Sequence, residues 1–243
     1  MLVIGALIIT GATFLHGARR WRRESATRIL LAPGAYTQPH PRPTSISMPL
    51  LANGINANHS AWLDAGGRHI DTAFIYGDDQ QKSIGEAIRR SNINRGDLFI
   101  TTKVPCCPGT PYCLLPEYKG NISADMAKNN QLLGVDYTDI TLLHHPCLTD
   151  ELTILKYLEL EQAMVQGHTK AIGVSNFDKR LLQKLINDQR TTTVPAVNQC
   201  NHAIGNHNES HSGGRGGASR GTGTPVVEPA GGGERTQRRG LRE

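Results

Sequence analysis

Residues 69–79 read HIDTAFIYGDD. An acid, Asp71, and a phenol, Tyr76, stand five residues apart immediately after a short apolar run, where a chain leaves a strand. The same kind of run recurs along the chain. MPLLA (48–52), RHIDTAF (68–74), DLFITTKV (97–104), DITLLHHP (139–146), KAIGVS (170–175) and PAVNQ (195–199) are short, apolar and strand-like. Between the later runs lie QKSIGEAIRR, SADMAKNNQLL, ELTILKYLELEQAMVQ and KRLLQKLIND, each with apolar residues three and four apart, the spacing of a helix with one buried face. Strands alternating with helices of this length predict parallel βαβ units. Because the strand runs are nearly all apolar, the sheet is expected to be covered on both faces or to face a filled barrel interior.

The 243 residues, 38% of them hydrophobic, suffice for one main domain with its own core. The formal charge of +5 is unevenly placed: residues 212–243 hold six Arg against three Glu, which leaves +2 on residues 1–211. A near-neutral body argues against a nucleic-acid face, and no nucleic-acid partner is expected. The five cysteines, Cys106, Cys107, Cys113, Cys147 and Cys200, are odd in number and lack framework spacing, which predicts a mostly reduced, intracellular chain. CC-x5-C matches no standard zinc pattern, so no metal is expected.

Residues 1–18, MLVIGALIITGATFLHGA, are apolar and are followed by RRWRR. They are a candidate signal anchor or signal peptide, slightly short for a full span, with an over-extended start as the alternative. An anchor would leave the body on the cytoplasmic side, beside the Arg cluster. The expected location is the cytoplasm, or a membrane held through residues 1–18 with the body facing the cytoplasm. Residues 19–45 are predicted to be a basic, Pro-rich linker, residues 46–211 the folded body, and the Gly/Arg-rich residues 212–243 a disordered tail.

In parallel α/β folds, active groups gather at the carboxyl ends of the strands. Here Asp71 ends its run, Tyr76 lies in the loop beyond it, and Lys103, His144, Ser175 with Asn176, and Gln199 end the four that follow. A single strand-end Asp or Asn is more often a helix cap; a whole rim of polar residues is not explained that way. Together, acid, phenol, lysine and imidazole make a proton-donating device. A free phenol has a pKa near 10; a nearby ammonium favours its ionised form, and a carboxylate keeps that ammonium charged and in place. Tyr76 is then the general acid, Lys103 its tuner, Asp71 the orienter of Lys103, and His144 the group that directs a substrate carbonyl. Such a set protonates an oxygen while hydride reaches the carbon. No side chain donates hydride, so a nicotinamide cofactor is required. Ser175, Asn176 and Gln199 suit hydrogen bonding to a carboxamide.

GGRHIDTAFIYGDD, DLFITTKV, DITLLHHP, KAIGVSNF and PAVNQ, in this order and spacing, resemble the successive signatures of the aldo-keto reductase superfamily over roughly residues 46–205. The resemblance implies a TIM (β/α)8-type barrel and NADP(H) bound without a Gly-rich Rossmann loop. It implies reduction of aldehyde or ketone carbonyls to alcohols, with a small-molecule carbonyl substrate as partner. Carried over residue by residue, its catalytic tetrad falls on Asp71, Tyr76, Lys103 and His144, and its contacts to the nicotinamide amide on Ser175, Asn176 and Gln199. His145 stands where the family often has an aromatic residue at the mouth and is expected to pack in the loop.

The chain also departs from the family pattern. INANHSAWLDA is shorter than the family's first loop and helix. PCCPGTPYC forms a Pro-rich loop at the rim, expected to shape the substrate site with reactive thiols. Asn58, Asn121 and Asn208 head N-x-S triplets, which matter for glycosylation only in a secretory pathway. After NQCNHAIGNHNES the family's last two strand–helix units, with their phosphate-clamping groups, are not visible. The barrel is therefore expected to be incomplete, with about six of eight units, and the tail to be an out-of-frame or alternatively spliced end. The alternative function is a catalytically silent fragment with a binding role or none.

Overall fold

A computed structural model describes residues 28–31, 46–108, 111–114, 120–202 and 224–229. Strands β1 (Arg28–Leu31) and β2 (Ile46–Pro49) pair antiparallel as a separate two-stranded sheet. The main sheet runs β3 (His69–Asp71), β4 (Phe99–Val104), β5 (Ile140–Leu143), β6 (Ile172–Ser175), β7 (Val197–His202) and β8 (Thr224–Pro229), hydrogen-bonded in that order. From β3 to β7 every pairing is parallel; β8 runs antiparallel to β7. Helix α1 (His59–Asp64) precedes β3, and α2 (Asp78–Ser91), α3 (Ile122–Leu133), α4 (Asp150–Val165) and α5 (Lys179–Asn187) follow the next four strands in turn. This is the incomplete α/β barrel the strand–helix alternation predicts.

Four helices start on a side chain that satisfies a free backbone donor of the first turn. Asn58 accepts from Ala61 N at 3.0 Å, Asn121 from Ala124 N at 3.0 Å, Thr149 from Leu152 N at 3.1 Å and Asp178 from Leu181 N at 2.6 Å. The asparagines of two N-x-S triplets are thus helix caps; Asn208 lies outside the described residues.

Side chains alternate across each strand, and the alternation sorts this chain into two cores. Ile70, Ile100, Val104, Leu143, Val174 and their neighbours point outward against the helices, where Ile84, Leu133, Tyr157 and Leu185 are buried. Phe99, Ile140, Leu142, Ala171 and Val197 form an inner cluster, closed by Met48. Counting by twos along the inner face, His69 leads to Asp71, Thr101 to Lys103, and Val197 to Gln199. The same period that buries the barrel interior therefore delivers the polar groups to its upper end.

The structure differs from expectation in four places. MPLLA is not a barrel strand: β2 pairs with β1, and only Asn53 reaches the main sheet, by a single parallel bridge to Ile70. The linker contains a strand, β1, and the tail contains β8. Both segments, RILL and TPVVEP, carry β-branched residues and meet strands with unpaired backbone groups, which composition alone does not reveal. Gln199 does not end its strand, because pairing with β8 extends β7 to His202. Finally, the cysteines are not all reduced: Cys106 pairs with Cys147 and Cys107 with Cys113. The Cα separations of 5.2 and 5.4 Å meet the requirement for such pairs, which the fold creates by bringing the ends of β4 and β5 together. Among the described residues no helix is long and apolar enough to cross a membrane; residues 1–18 lie outside them, as do 203–223 and 230–243.

Helices α2 and α3 cross at Gly85. A Cβ there would lie 2.8–2.9 Å from the backbone of Leu132 and Leu133, atoms that cannot rotate away. Gly85→Ala is expected to destabilise the fold by about 1–3 kcal/mol through this overpacking, read as a lower denaturant midpoint with an unchanged slope.

Candidate active site

Lys103 is the fifth of the six residues of β4, on its inner face, and its side chain is 5% exposed. Its Nζ donates to Asp71 Oδ1 at 2.6 Å and to the Thr72 carbonyl at 3.1 Å. The strand register, Asp71 opposite Thr101, puts the acid one inner step below the lysine and so within reach. A buried ammonium held by a carboxylate and a carbonyl keeps its charge at a fixed point.

Tyr76 is reached from Asp71 by a short 3-10 turn, Phe74–Tyr76, that Gly77 ends at φ 95°. Gln81, fully buried on α2, holds the start of the turn by donating to Thr72 Oγ1 and to the Ala73 carbonyl, both at 2.9 Å. The phenol ring thereby comes over Lys103, with Nζ 5.8 Å from its centroid, and edge-on to His144, with centroids 6.1 Å apart. All four residues of the expected proton-donating set are brought together.

His144 follows β5 and stacks on His145 at 5.8 Å. Burial pushes its pKa down to about 3, assisted by the Lys103 ammonium and by His145 and opposed by Asp71. His144 is therefore neutral at ordinary pH. Its Nδ1 is buried and has no hydrogen-bond partner among the described residues.

The three residues expected to meet a carboxamide are also adjacent, but much of their hydrogen bonding is internal. Ser175 Oγ donates to the Gln199 carbonyl at 2.8 Å. Asn176, at φ 62°, donates through Nδ2 to the His144 carbonyl at 2.9 Å and to Ser175 Oγ at 3.0 Å. Gln199 Nε2 donates to Asp71 Oδ2 at 2.9 Å, whereas Gln199 Oε1 is buried without a partner among the described residues. Below this rim, the space between Met48, His69, Thr101 and Leu142 is about 40 Å³, room for a water or two but not for an organic molecule. Any ligand must approach from the upper side.

Sequence reasoning missed Gln81, the Thr72 carbonyl, and the bond from Gln199 to Asp71. Only Gln81 left a signal, an amide at a helix position where the apolar spacing calls for a buried residue. His145, expected to pack in the loop, lies on the His144 ring and helps to keep it uncharged.

The shift at His144 has a pH consequence. The unfolded chain takes up this proton near the ordinary 6.5 and the folded chain only near 3, so stability is full above 6.5 and falls as pH drops through that window. Buried His59, with its pKa lowered to about 4, acts in the same direction. The His144 imidazole should remain neutral at pH 5 by nitrogen NMR, and His144→Gln should flatten the loss of stability between pH 6.5 and 3.

The chain is similar to several known proteins. An aldo-keto reductase of Mycolicibacterium paratuberculosis is 41% identical over 145 residues, 57% of this chain and 44% of that protein. A methylglyoxal reductase of Yersinia pestis is 38% identical over 125 residues, 51% of this chain and 43% of that protein. An aldehyde reductase of Saccharomyces cerevisiae is 33% identical over 190 residues, 64% and 57% of the two chains. The chain thus spans about half the length of the curated relatives it matches. Among solved structures, an aldo/keto reductase from Brucella melitensis superposes with a TM-score of 0.54 at 32% identity, covering 65% of this chain and 60% of that one. The model of the aldo/keto reductase family matches residues 54–238, most of the sequence, and the chain belongs to that family.

Proposed function

We propose that the protein reduces an aldehyde or ketone carbonyl to an alcohol with NADP(H), and that Tyr76 donates the proton. The observation that carries this is the convergence of the phenol, the buried Lys103–Asp71 pair and an uncharged imidazole on one rim. Lys103 lies close enough to favour negative charge on the phenol oxygen as its proton leaves. Asp71 holds Lys103 in place. Neutral His144 offers a hydrogen bond to the carbonyl oxygen without competing as an acid, which orients the carbon for attack.

A nicotinamide would supply the hydride that no side chain can provide. Two buried atoms without a partner among the described residues, Gln199 Oε1 and His144 Nδ1, fit a ligand with an amide group beside a reacting carbonyl. Gln199 Oε1 would accept from the carboxamide N–H, and Ser175 and Asn176 border that position. In balance, the carbonyl carbon gains a hydride, its oxygen gains the Tyr76 proton, and the phenolate is reprotonated from solvent. Relatives named for methylglyoxal and aldehyde reduction support a small carbonyl compound as substrate.

The expected result is that NADPH fluorescence shifts on adding the purified protein and that aldehydes oxidise the bound cofactor. Tyr76→Phe should lower kcat by at least about a hundredfold, the scale of a lost general acid, while the Kd for NADPH stays within about threefold, as expected of a group that acts only in the transition state. Absence of NADPH binding at millimolar concentration, or a fully active Tyr76→Phe, would overturn the proposal.

A further inference from the structure

Asp71 and Gln199 stand on β3 and β7, the two outermost strands of the parallel set, 128 residues apart in sequence. They nevertheless meet across the barrel interior, because the sheet curls. Asp71 Oδ2 accepts from Gln199 Nε2 at 2.9 Å while Asp71 Oδ1 accepts from Lys103 Nζ at 2.6 Å. Each oxygen of one carboxylate is therefore held from a different direction. Turning the carboxylate about its own bond breaks both contacts together, so its plane is fixed. Both residues are shielded from water, with Gln199 6% exposed and the Asp71 side chain 12%, and water is a poor competitor for either contact.

The chemical type of the donor matters as well as its place. A cation here would repel Lys103 and divide the carboxylate between two charges; a neutral amide completes the hydrogen bonding of Oδ2 and leaves the full negative charge facing Lys103. Besides the Tyr76 phenol above, the titratable groups that face Asp71 include Lys103 on β4, His69 on its own strand and His144 after β5, and burial lowers the pKa of both imidazoles. Lys103 is thus the cation that Asp71 serves among the described residues.

We infer that Gln199 is a positioning residue, clamping the Asp71 carboxylate in the plane that holds Lys103 under the Tyr76 phenol. The inference rests on the reading of Tyr76 as proton donor. It is distinct from contact with a ligand carboxamide, since Nε2 is engaged with Asp71 and only Oε1 is left to face a ligand.

The informative variant is Gln199→Met, which keeps length and shape and removes the donor. The first measurement needs no turnover. In the ligand-free protein, the Lys103 ammonium protons, assigned by their absence in Lys103→Met, should exchange with solvent at least tenfold faster in Gln199→Met than in wild type. The second is kinetic. In Gln199→Met kcat should fall at least tenfold with the Kd for NADPH changed less than threefold, and in a Lys103→Met background the same substitution should add less than twofold, as expected of residues acting as one unit. Unchanged ammonium exchange overturns the inference whatever the kinetics show. So does a raised Kd with unchanged kcat, which is the signature of ligand contact alone. If wild type shows no turnover, the proposed reaction fails while the exchange measurement still decides the clamp. If Gln199→Met does not fold, Gln199→Glu, which puts a second carboxylate against Asp71, should show the same faster exchange.

Discussion

An ammonium that is only 5% exposed is stable in a protein interior only when opposite charge and hydrogen-bond acceptors surround it. Lys103 meets that condition through Asp71 and the Thr72 carbonyl, and much of the architecture follows from it. β3 must lie beside β4 and in a register that places Asp71 one inner step below the lysine. The turn after β3 must be tight, so that the Thr72 carbonyl points inward and the chain rises to Tyr76 directly above. The sheet must curl far enough for Gln199, four strands away, to reach the free oxygen of the carboxylate. Loss of any one partner leaves a buried charge that the others cannot satisfy, so the site and the fold are stabilised by the same contacts.

The parts of this that local sequence encodes were legible. Position at the end of an apolar run puts Asp71, Lys103 and Gln199 on one rim, and three-and-four spacing marks α2 to α5. The parts decided by distant partners were not. RILL and TPVVEP become strands because another strand offers free N–H and C=O groups, and nothing within either segment says which. Cys106 and Cys147 are 41 residues apart and meet only once β4 and β5 are paired. The contacts of Gln199 were half legible: an amide on the rim suits a hydrogen-bonding group, but the carboxylate its nitrogen meets lies across the barrel, at a separation no motif spans.

The inner cluster shows how the lower part of the barrel supports the upper. Met48 closes the interior over Phe99, Ile140 and Leu142, and His69 joins that layer to the site. Its ring nitrogens meet the Pro49 carbonyl at 3.0 Å and Thr101 Oγ1 at 2.8 Å. β2, though outside the main sheet, is therefore fastened two residues from Asp71. Packing below and hydrogen bonding above act on the same three-residue strand.

The pairing of β8 with β7 has a further consequence. Six residue pairs, Val197 with Pro229 through His202 with Thr224, make β7 an interior strand, bonded on both edges. Should β8 open, β7 becomes an edge, and edges fray on a free-energy scale far below that of global unfolding. The fraction of molecules in which Gln199 stands on a strand bonded at both edges then depends on the local opening equilibrium of β8. Six residues of the Gly/Arg-rich segment thus support the strand that carries Gln199 from outside the candidate site.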